Sequence, residues 1–196
     1  MISDFSYLVV RLLGGFWKFR ERMKAAPKGS IYMKILRSIY FSYLDRYGAF
    51  IGQTTRFSSE ACFPHNLHGI FIAGNAVIGR NCVIFHQVTI GANAIPDSKG
   101  VGCPTIGDNV YIGAGAKIIG GITIGDNCRI GANCVITKSI PPNSIAVLEA
   151  PRVIERPATP DNKYYRWSPQ GPQYFDEGEW TPVTDASIAE RLRQAF

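Results

Sequence analysis

Residues 72–95 read IAGNAV-IGRNCV-IFHQVT-IGANAI, and residues 106–141 read IGDNVY-IGAGAK-IIGGIT-IGDNCR-IGANCV-ITKSIP. Each of these ten hexads begins with isoleucine and carries a small or β-branched residue at its fifth place. An α-helix would repeat apolar residues every three or four positions, and a lone strand every two. A strict period of six indicates short strands joined by corners, with about 18 residues in each turn of a triangular coil.

The two repeated places predict the interior of this coil. The isoleucines should stack into ladders, and glycine, which follows the isoleucine in six hexads, can supply the tight corners together with asparagine. The fifth-place residues should fill the remaining core, so three of the five cysteines become small core residues with reduced thiols. These fifth-place residues are Ala76, Cys82, Val88, Ala94, Val110, Ala116, Ile122, Cys128, Cys134 and Ile140.

The Ile-Gly-x-x-small-x hexad resembles the signature of the left-handed hexapeptide-repeat acyltransferases, over about residues 48–157. The resemblance implies a mainly β fold, a left-handed parallel β-helix of hexapeptide repeats with an N-terminal helical segment and an irregular C-terminal tail. A parallel β-helix of the other hand, or a β-sandwich with coincidental spacing, is the alternative. We expect a helical segment at 1–50, a β-helix acetyltransferase domain at 51–157 and a C-terminal extension at 158–196.

The period breaks once, because Ile90 and Ile106 are sixteen residues apart instead of six. About ten extra residues, 95–105, should therefore leave the coil as a protruding loop. Their sequence, IPDSKGVGCPT, is rich in glycine and proline and unsuited to a sheet. Loops on a rigid scaffold often carry function. In the resembling family such a loop reaches the next subunit, so the resemblance implies a homotrimer.

All three histidines, His65, His68 and His86, precede this loop. Acyl transfer to a hydroxyl needs a base, and neutral imidazole serves well near physiological pH. The segments Phe63-Pro64-His65 and 85–91 (FHQVTIG) resemble serine acetyltransferases and their sugar-modifying relatives. The resemblance implies that His65 is the general base, with His68 as second candidate and His86 as a polar residue lining the site. Surface histidines without a catalytic role are the alternative.

Residues 112–144, IGAGAKIIGGITIGDNCRIGANCVITKSIPPNS, resemble the coenzyme A groove of the same family. Small residues would let the pantetheine arm approach the backbone, and basic residues would bind the phosphates. No metal is expected, since the histidines lack the spacing of a metal site. The resemblance implies acetyl-CoA contacts at Gly113, Ala114, Gly131, Ala132, Thr137, Lys138 and Arg152.

The acceptor is less clearly indicated. Serine acetyltransferases carry aspartate directly before the motif histidine, histidine before the loop proline, and a long helical N-terminus. This chain has Pro64 and Cys103 at those two positions, and only about 50 residues precede the coils. These departures favour a sugar hydroxyl of a surface polysaccharide, with serine in cysteine biosynthesis as the alternative. A non-catalytic β-helix scaffold is a second alternative.

Charge is uneven along the chain. Residues 1–50 contain nine Lys or Arg and three Asp or Glu, which accounts for the whole net charge of +6. Residues 4–24 and 30–47 are predicted to be helical and to cap the coil. Peripheral contact with a membrane through this basic segment is left open. Neither a signal peptide nor a spanning segment is indicated, so a cytoplasmic location is expected, and no nucleic-acid-binding motif is present.

Overall fold

The structure, a computed structural model, describes residues 2–150, 153–155, 157 and 159–195. They form two compact units, divided between Glu149 and Ala150. The first unit starts with the helices α1 (Ile2–Leu12), α2 (Gly15–Ala25) and α3 (Ile31–Asp45). Its strands are β1 (Phe50–Ile51), β2 (Arg56–Phe57), β3 (Pro64–Leu67), β4 (Phe71–Ile72), β5 (Val77–Ile78), β6 (Val83–Ile84), β7 (Thr89–Gly91), β8 (Thr105–Ile106), β9 (Tyr111–Ile112), β10 (Lys117–Ile119), β11 (Thr123–Ile124), β12 (Arg129–Ile130), β13 (Val135–Ile136) and β14 (Ile145–Ala146).

These strands form three parallel sheets that the chain visits in turn. The first sheet has the order β1-β4-β7-β10-β13, the second β2-β5-β8-β11 and the third β6-β9-β12-β14. Phe71 pairs with Thr89, and Lys117 with Val135, 18 residues further along the chain in both cases. Three hexads therefore make one turn, and the predicted parallel β-helix is confirmed.

The core follows the predicted ladders closely. Nine of the ten first-place isoleucines are at most 1% exposed, and Ile136 at the end is half-buried. Eight fifth-place residues are also buried. The other two differ from the prediction, since Ala94 is exposed and Ile140 is half-buried. Ile140 pairs with the first-place Ile124, because the last turn is two residues shorter than a regular turn of 18.

The loop lies two to three residues earlier than predicted. Pro104 is buried and occupies the core position that was expected for Ala94. Its carbonyl accepts a hydrogen bond from Val77 N at 3.1 Å, and the carbonyl of the fifth-place residue Val88 accepts one from Phe71 N in the same way. Thr105 already belongs to β8. The loop is therefore residues 92–103, closed by two backbone hydrogen bonds of 2.9 Å between Asn93 and Gly102.

Asparagines line the corner between the second and third sheets. Asn81, Asn109, Asn127 and Asn143 all adopt left-handed backbone angles, with φ between 55° and 59°. Asparagine tolerates this conformation better than other non-glycine residues. Each Nδ2 of the first three donates to the Oδ1 of the next asparagine, at 2.9, 3.1 and 3.0 Å. This ladder of amides thus provides hydrogen-bond partners for the asparagine side chains along one corner of the coil.

The N-terminal helices cover the first coil. Tyr40 Oη donates to Ile51 O at 3.0 Å, and the buried Arg20 donates to Thr55 O at 2.7 Å. The single helix predicted at 4–24 is divided into α1 and α2, because Gly14 and Gly15 have φ of 94° and 90°. Within the described residues, no helix is both long enough and apolar enough to cross a membrane.

The second unit corrects the expectation of an irregular tail. It contains an antiparallel sheet of β15 (Tyr164–Ser168), β16 (Gly171–Asp176) and β17 (Glu179–Pro182), followed by α4 (Ala186–Arg193). A two-residue turn at Glu177 and Gly178, both with positive φ, joins β16 to β17. Asp185 caps the start of this helix, because its Oδ1 accepts from the amides of Ser187 and Ile188. Aromatic contacts between neighbouring strands, such as Tyr165 with Tyr174 and Phe175 with Trp180, pack this unit in place of a six-residue period.

Candidate active site

At the corner between the third and first sheets, residues from the same place of successive hexads lie above one another. The backbone carbonyl of each residue at this corner accepts a hydrogen bond from an amide of the next coil. That amide belongs to the residue that follows the equivalent position in the next coil. Gln87 N donates to His68 O at 2.8 Å, Gly115 N to His86 O at 3.0 Å and Asn133 N to Ala114 O at 2.8 Å. These bonds align one column of residues, called here the histidine corner. It consists of His68, His86, Ala114 and Ala132.

His65 reaches this corner because the first coil is three residues longer than a regular turn of 18. Cys62 pairs with Val83, a separation of 21 residues instead of 18. The additional residues allow the exposed His65 to stack on the half-buried His86, with ring centroids 4.8 Å apart and planes 18° apart. Phe85 contacts His65 at 5.5 Å between centroids. Two histidines that are far apart in the chain therefore form one pair.

His68 is separated from this pair. Its ring packs edge-on against Tyr47, with centroids 5.0 Å apart. His86 differs again, since its Nδ1 is buried and has no hydrogen-bond partner in the described part of the chain. Contact between His86 and a ligand is therefore limited to the other edge of the ring. The structure groups His65 with His86, and His68 with Tyr47.

The predicted coenzyme A residues fall into two groups. Ala114 is half-buried and Ala132 exposed, and both follow His86 on the histidine corner. Their methyl groups leave a strip above the histidine pair that a narrow chain could follow. Gly113 has a structural requirement of its own, because a Cβ there would lie 2.7 Å from Ala132 N. Gly131 is less confined, because a Cβ there would lie 3.2 Å from Ala146 O, its nearest neighbour.

Thr137 and Lys138 lie on a different corner. Both are exposed and directly follow β13, so they belong to the corner between the first and second sheets. The loop 92–103 leaves the coil at this same corner, after β7. One face of the coil thus separates them from the histidine corner. Arg152 lies outside the described residues.

Two features of this region were missed by the sequence analysis. Lys117 donates from Nζ to Gln87 O at 2.7 Å, which brings a cation next to the histidine corner. Lys117 occupies the sixth place of its hexad, where the residues face outward and vary from hexad to hexad. Only its position shortly after Ala114 could have indicated a role at the site. The second feature is a pocket formed with the helices, which no repeat could predict.

This pocket borders the segment that carries His65. Asn66, the next residue, lines it together with tyrosines and an arginine from the helices. Burial raises the pKa of Tyr43 well above its ordinary value, so its hydroxyl stays protonated. No carboxylate is found among the described lining residues. Those residues are Tyr7, Val10, Arg11, Gly15, Tyr43, Tyr47 and Asn66.

Among the described residues, no three His, Cys, Asp or Glu side chains are placed to hold a metal ion. All five cysteines are free. Cys103 is half-buried against the coil at the base of the loop.

Comparison with known proteins agrees with this architecture. The family model "Bacterial transferase hexapeptide (six repeats)" matches residues 103–138. "Putative colanic acid biosynthesis acetyltransferase WcaB" of Escherichia coli K12 is 36% identical over 129 residues, covering 66% of this chain and 73% of that protein. The chain belongs to the hexapeptide-repeat acetyltransferase family.

Other members of the family are serine acetyltransferases. The enzyme of Synechococcus elongatus is 32% identical over 142 residues, covering 71% of this chain and 52% of that protein. The solved structure of serine acetyltransferase isoform 3 from Entamoeba histolytica, in complex with cysteine, matches with a TM-score of 0.55 and 38% identity. It covers 65% of this chain and 44% of that one. The left-handed β-helix with N-terminal helices is thereby confirmed, and the chain spans about half the length of these serine acetyltransferases.

Proposed function

We propose that the protein is an acetyl-CoA dependent O-acetyltransferase in which His65 is the general base. The observation that carries this proposal is the stacked pair of His65 and His86 at the foot of a corner that continues as Ala114 and Ala132. A proton acceptor and a strip of small residues thus share one edge of a rigid coil. Acyl transfer needs this combination, because base, hydroxyl and thioester must be aligned.

The chemistry assigned to His65 is a proton relay. Its neutral imidazole accepts the proton of the acceptor hydroxyl as the oxygen attacks the thioester carbonyl. The resulting imidazolium returns the proton to the departing thiolate, so atoms and charge balance. Bound acetyl-CoA supplies the activated acyl group. His86 and Phe85 pack against the imidazole and restrict its orientation.

A sugar hydroxyl is the acceptor that the pocket beside Asn66 favours. Its tyrosine rings and neutral hydroxyls suit a polyol, and Tyr43 stays protonated because it is buried. Serine carries an ammonium group that calls for a carboxylate, and Pro64 stands directly before His65. Serine remains the second candidate acceptor, because most of the relatives described above are serine acetyltransferases.

A homotrimer would complete the site. The histidine corner and the corner with Thr137, Lys138 and the loop lie on opposite edges of the first sheet. Around a threefold axis, the histidine corner of each coil would face the corner of its neighbour that carries the loop. We therefore propose that each site takes its histidines from one protomer and its loop from the next. The cytoplasmic location expected from the sequence stays a prediction.

The test is release of free thiol from acetyl-CoA with a panel of serine, free sugars, nucleotide sugars and oligosaccharides. His65→Ala should lower kcat by about 10²- to 10⁴-fold, the usual contribution of a general base. His68→Ala tests the second candidate base, because His68 packs on Tyr47 of the pocket and not on His86. If His65 is the base, His68→Ala should lower kcat less than His65→Ala does.

Each outcome of this assay bears on one part of the proposal. Turnover with a saccharide that is lost in His65→Ala would support both base and acceptor. Turnover with serine alone would refute the sugar acceptor, and a larger loss in His68→Ala would move the base to His68. Binding of acetyl-CoA without turnover on any acceptor would support a non-catalytic scaffold.

A further inference from the structure

The N-terminal helices expose large apolar side chains on the side away from the coil. On α1, Phe5, Leu8 and Leu12 are spaced by three and four residues and so form one stripe. On α3, Ile31 and Ile35 form a second stripe. All five are between 51% and 74% exposed. Together they are called here the apolar helix face.

The two stripes belong to neighbouring helices, because α1 and α3 pack antiparallel. Asp4 pairs with Arg46 at 2.6 Å, and the hydroxyls of Ser6 and Ser42 are 3.3 Å apart. Residue numbers therefore rise along α1 as they fall along α3. Ser42 lies on the same side of α3 as Ile35, seven residues away, and this side of α3 meets α1 at Ser6. The apolar helix face thus lies on two helices that pack against each other.

Covering the first coil does not use this surface. The contacts with the first coil come from buried side chains of α2 and α3 and from the hydrogen bond that Tyr40 donates to Ile51. Within the described part of the chain, the apolar helix face is left in solvent. The buried residues that cap the coil are Phe19, Met23, Leu36, Tyr40 and Leu44.

Basic residues border the apolar helix face on both helices. Arg11, which also lines the pocket beside Asn66, stands between Leu8 and Leu12 on α1, and Lys34 stands next to Ile35 on α3. Both are exposed. Residues 1–50 carry nine basic and three acidic residues, whereas the remaining 146 residues carry twelve of each. The positive charge of the protein is therefore concentrated on the segment that exposes the apolar stripes.

We propose that the apolar helix face docks on the surface of an anionic lipid bilayer, with α1 and α3 lying in the plane of the membrane. Apolar side chains would enter the boundary between head groups and acyl chains, while Arg11 and Lys34 reach the lipid phosphates. Anionic head groups complement the basic border, which gives the electrostatic part of the binding. This pattern of apolar centre and basic rim is typical of helices at a membrane interface.

The test is flotation of the full-length protein with vesicles of phosphatidylcholine, with and without phosphatidylglycerol. The native protein should float with the anionic vesicles and not with phosphatidylcholine alone, and high salt should weaken this binding because salt screens surface charge. Leu12→Asp with Ile31→Asp should weaken it by about tenfold or more, since two apolar contacts are lost. Both residues are more than 70% exposed, so the fold should tolerate the change.

The matched control is Val153→Asp with Ile154→Asp, which adds the same two negative charges at exposed apolar positions far along the chain. It should bind within about threefold of the native protein. Equal loss in both double variants, or no flotation of the native protein, would overturn the proposal. A native oligomer that Leu12→Asp with Ile31→Asp dissociates would assign the face to contacts between copies instead. Flotation does not depend on acetyl transfer to a soluble acceptor. The membrane proposal and the proposed acetyltransferase function can therefore be refuted independently.

Discussion

Two glycines one coil apart offer a sharp test of how the coil is stacked. Gly113 and Gly131 both follow a first-place isoleucine of the third sheet. A methyl group at Gly113 would lie 2.7 Å from Ala132 N and 3.0 Å from Gly131 C, all backbone atoms of the next coil. At Gly131 the nearest atoms are 3.2 to 3.4 Å away, because the shortened last turn leaves more space. Neither glycine has a positive φ, so sterics alone separate them.

The expected cost of Gly113→Ala follows from this geometry. Overpacking costs about 1–3 kcal/mol, and displacing the next coil also weakens the 2.8 Å hydrogen bond from Gly113 N to Ile130 O, worth about 0.5–1.5 kcal/mol. Alanine recovers about 0.4–1 kcal/mol by restricting the unfolded chain. The net destabilisation should be about 2 kcal/mol, or about 4–8 °C in Tm for a chain of this size. Gly131→Ala should stay within about 1 kcal/mol of the native protein.

Circular dichroism during urea and thermal unfolding measures both variants, at one protein concentration so that any assembly contributes equally. Far-ultraviolet spectra of the folded variants check that the coil is intact. Steric conflict at Gly113 would be ruled out if Gly113→Ala unfolded within about 0.5 kcal/mol of the native protein, or if Gly131→Ala were equally destabilised.

Two further predictions concern a surface carboxylate and the cysteines. Arg80 lowers the pKa of Asp108 below 3.8, first through its amide and then through its guanidinium. The contribution of Asp108 is therefore present above the unfolded pKa and lost as pH falls through the folded one, so Asp108→Asn should lower Tm more at pH 7 than at pH 3. An equal loss at both pH values would contradict this. Burial raises the pKa of the Cys82 thiol, so N-ethylmaleimide should label exposed Cys62 in the native protein and Cys82 only after unfolding, by mass spectrometry of peptides. Equal labelling rates would contradict the buried position of Cys82.

The site shows where prediction from the sequence stops. The importance of His65 and His86 was indicated by motif, but their stacking depends on three additional residues in the first coil, which follow no pattern. Pro104 in the core and the tyrosine pocket beside Asn66 were likewise not predicted, because each depends on where a non-repeating segment packs. Thr137 and Lys138 were grouped with the alanines by motif, yet the coil turns them to another corner.

The coil follows from the amino-acid sequence alone. A period of six assigns each residue the same local role in every regular turn, so neighbours in space can be counted directly along the chain: Ile130 stacks on Ile112, 18 residues earlier, because the spacing requires it. Tertiary structure alone decided the pairing of His65 with His86, the sheet of the second unit and the exposure of the apolar helix face. These features depend on contacts between segments without a repeat, where distance along the chain does not determine distance in space.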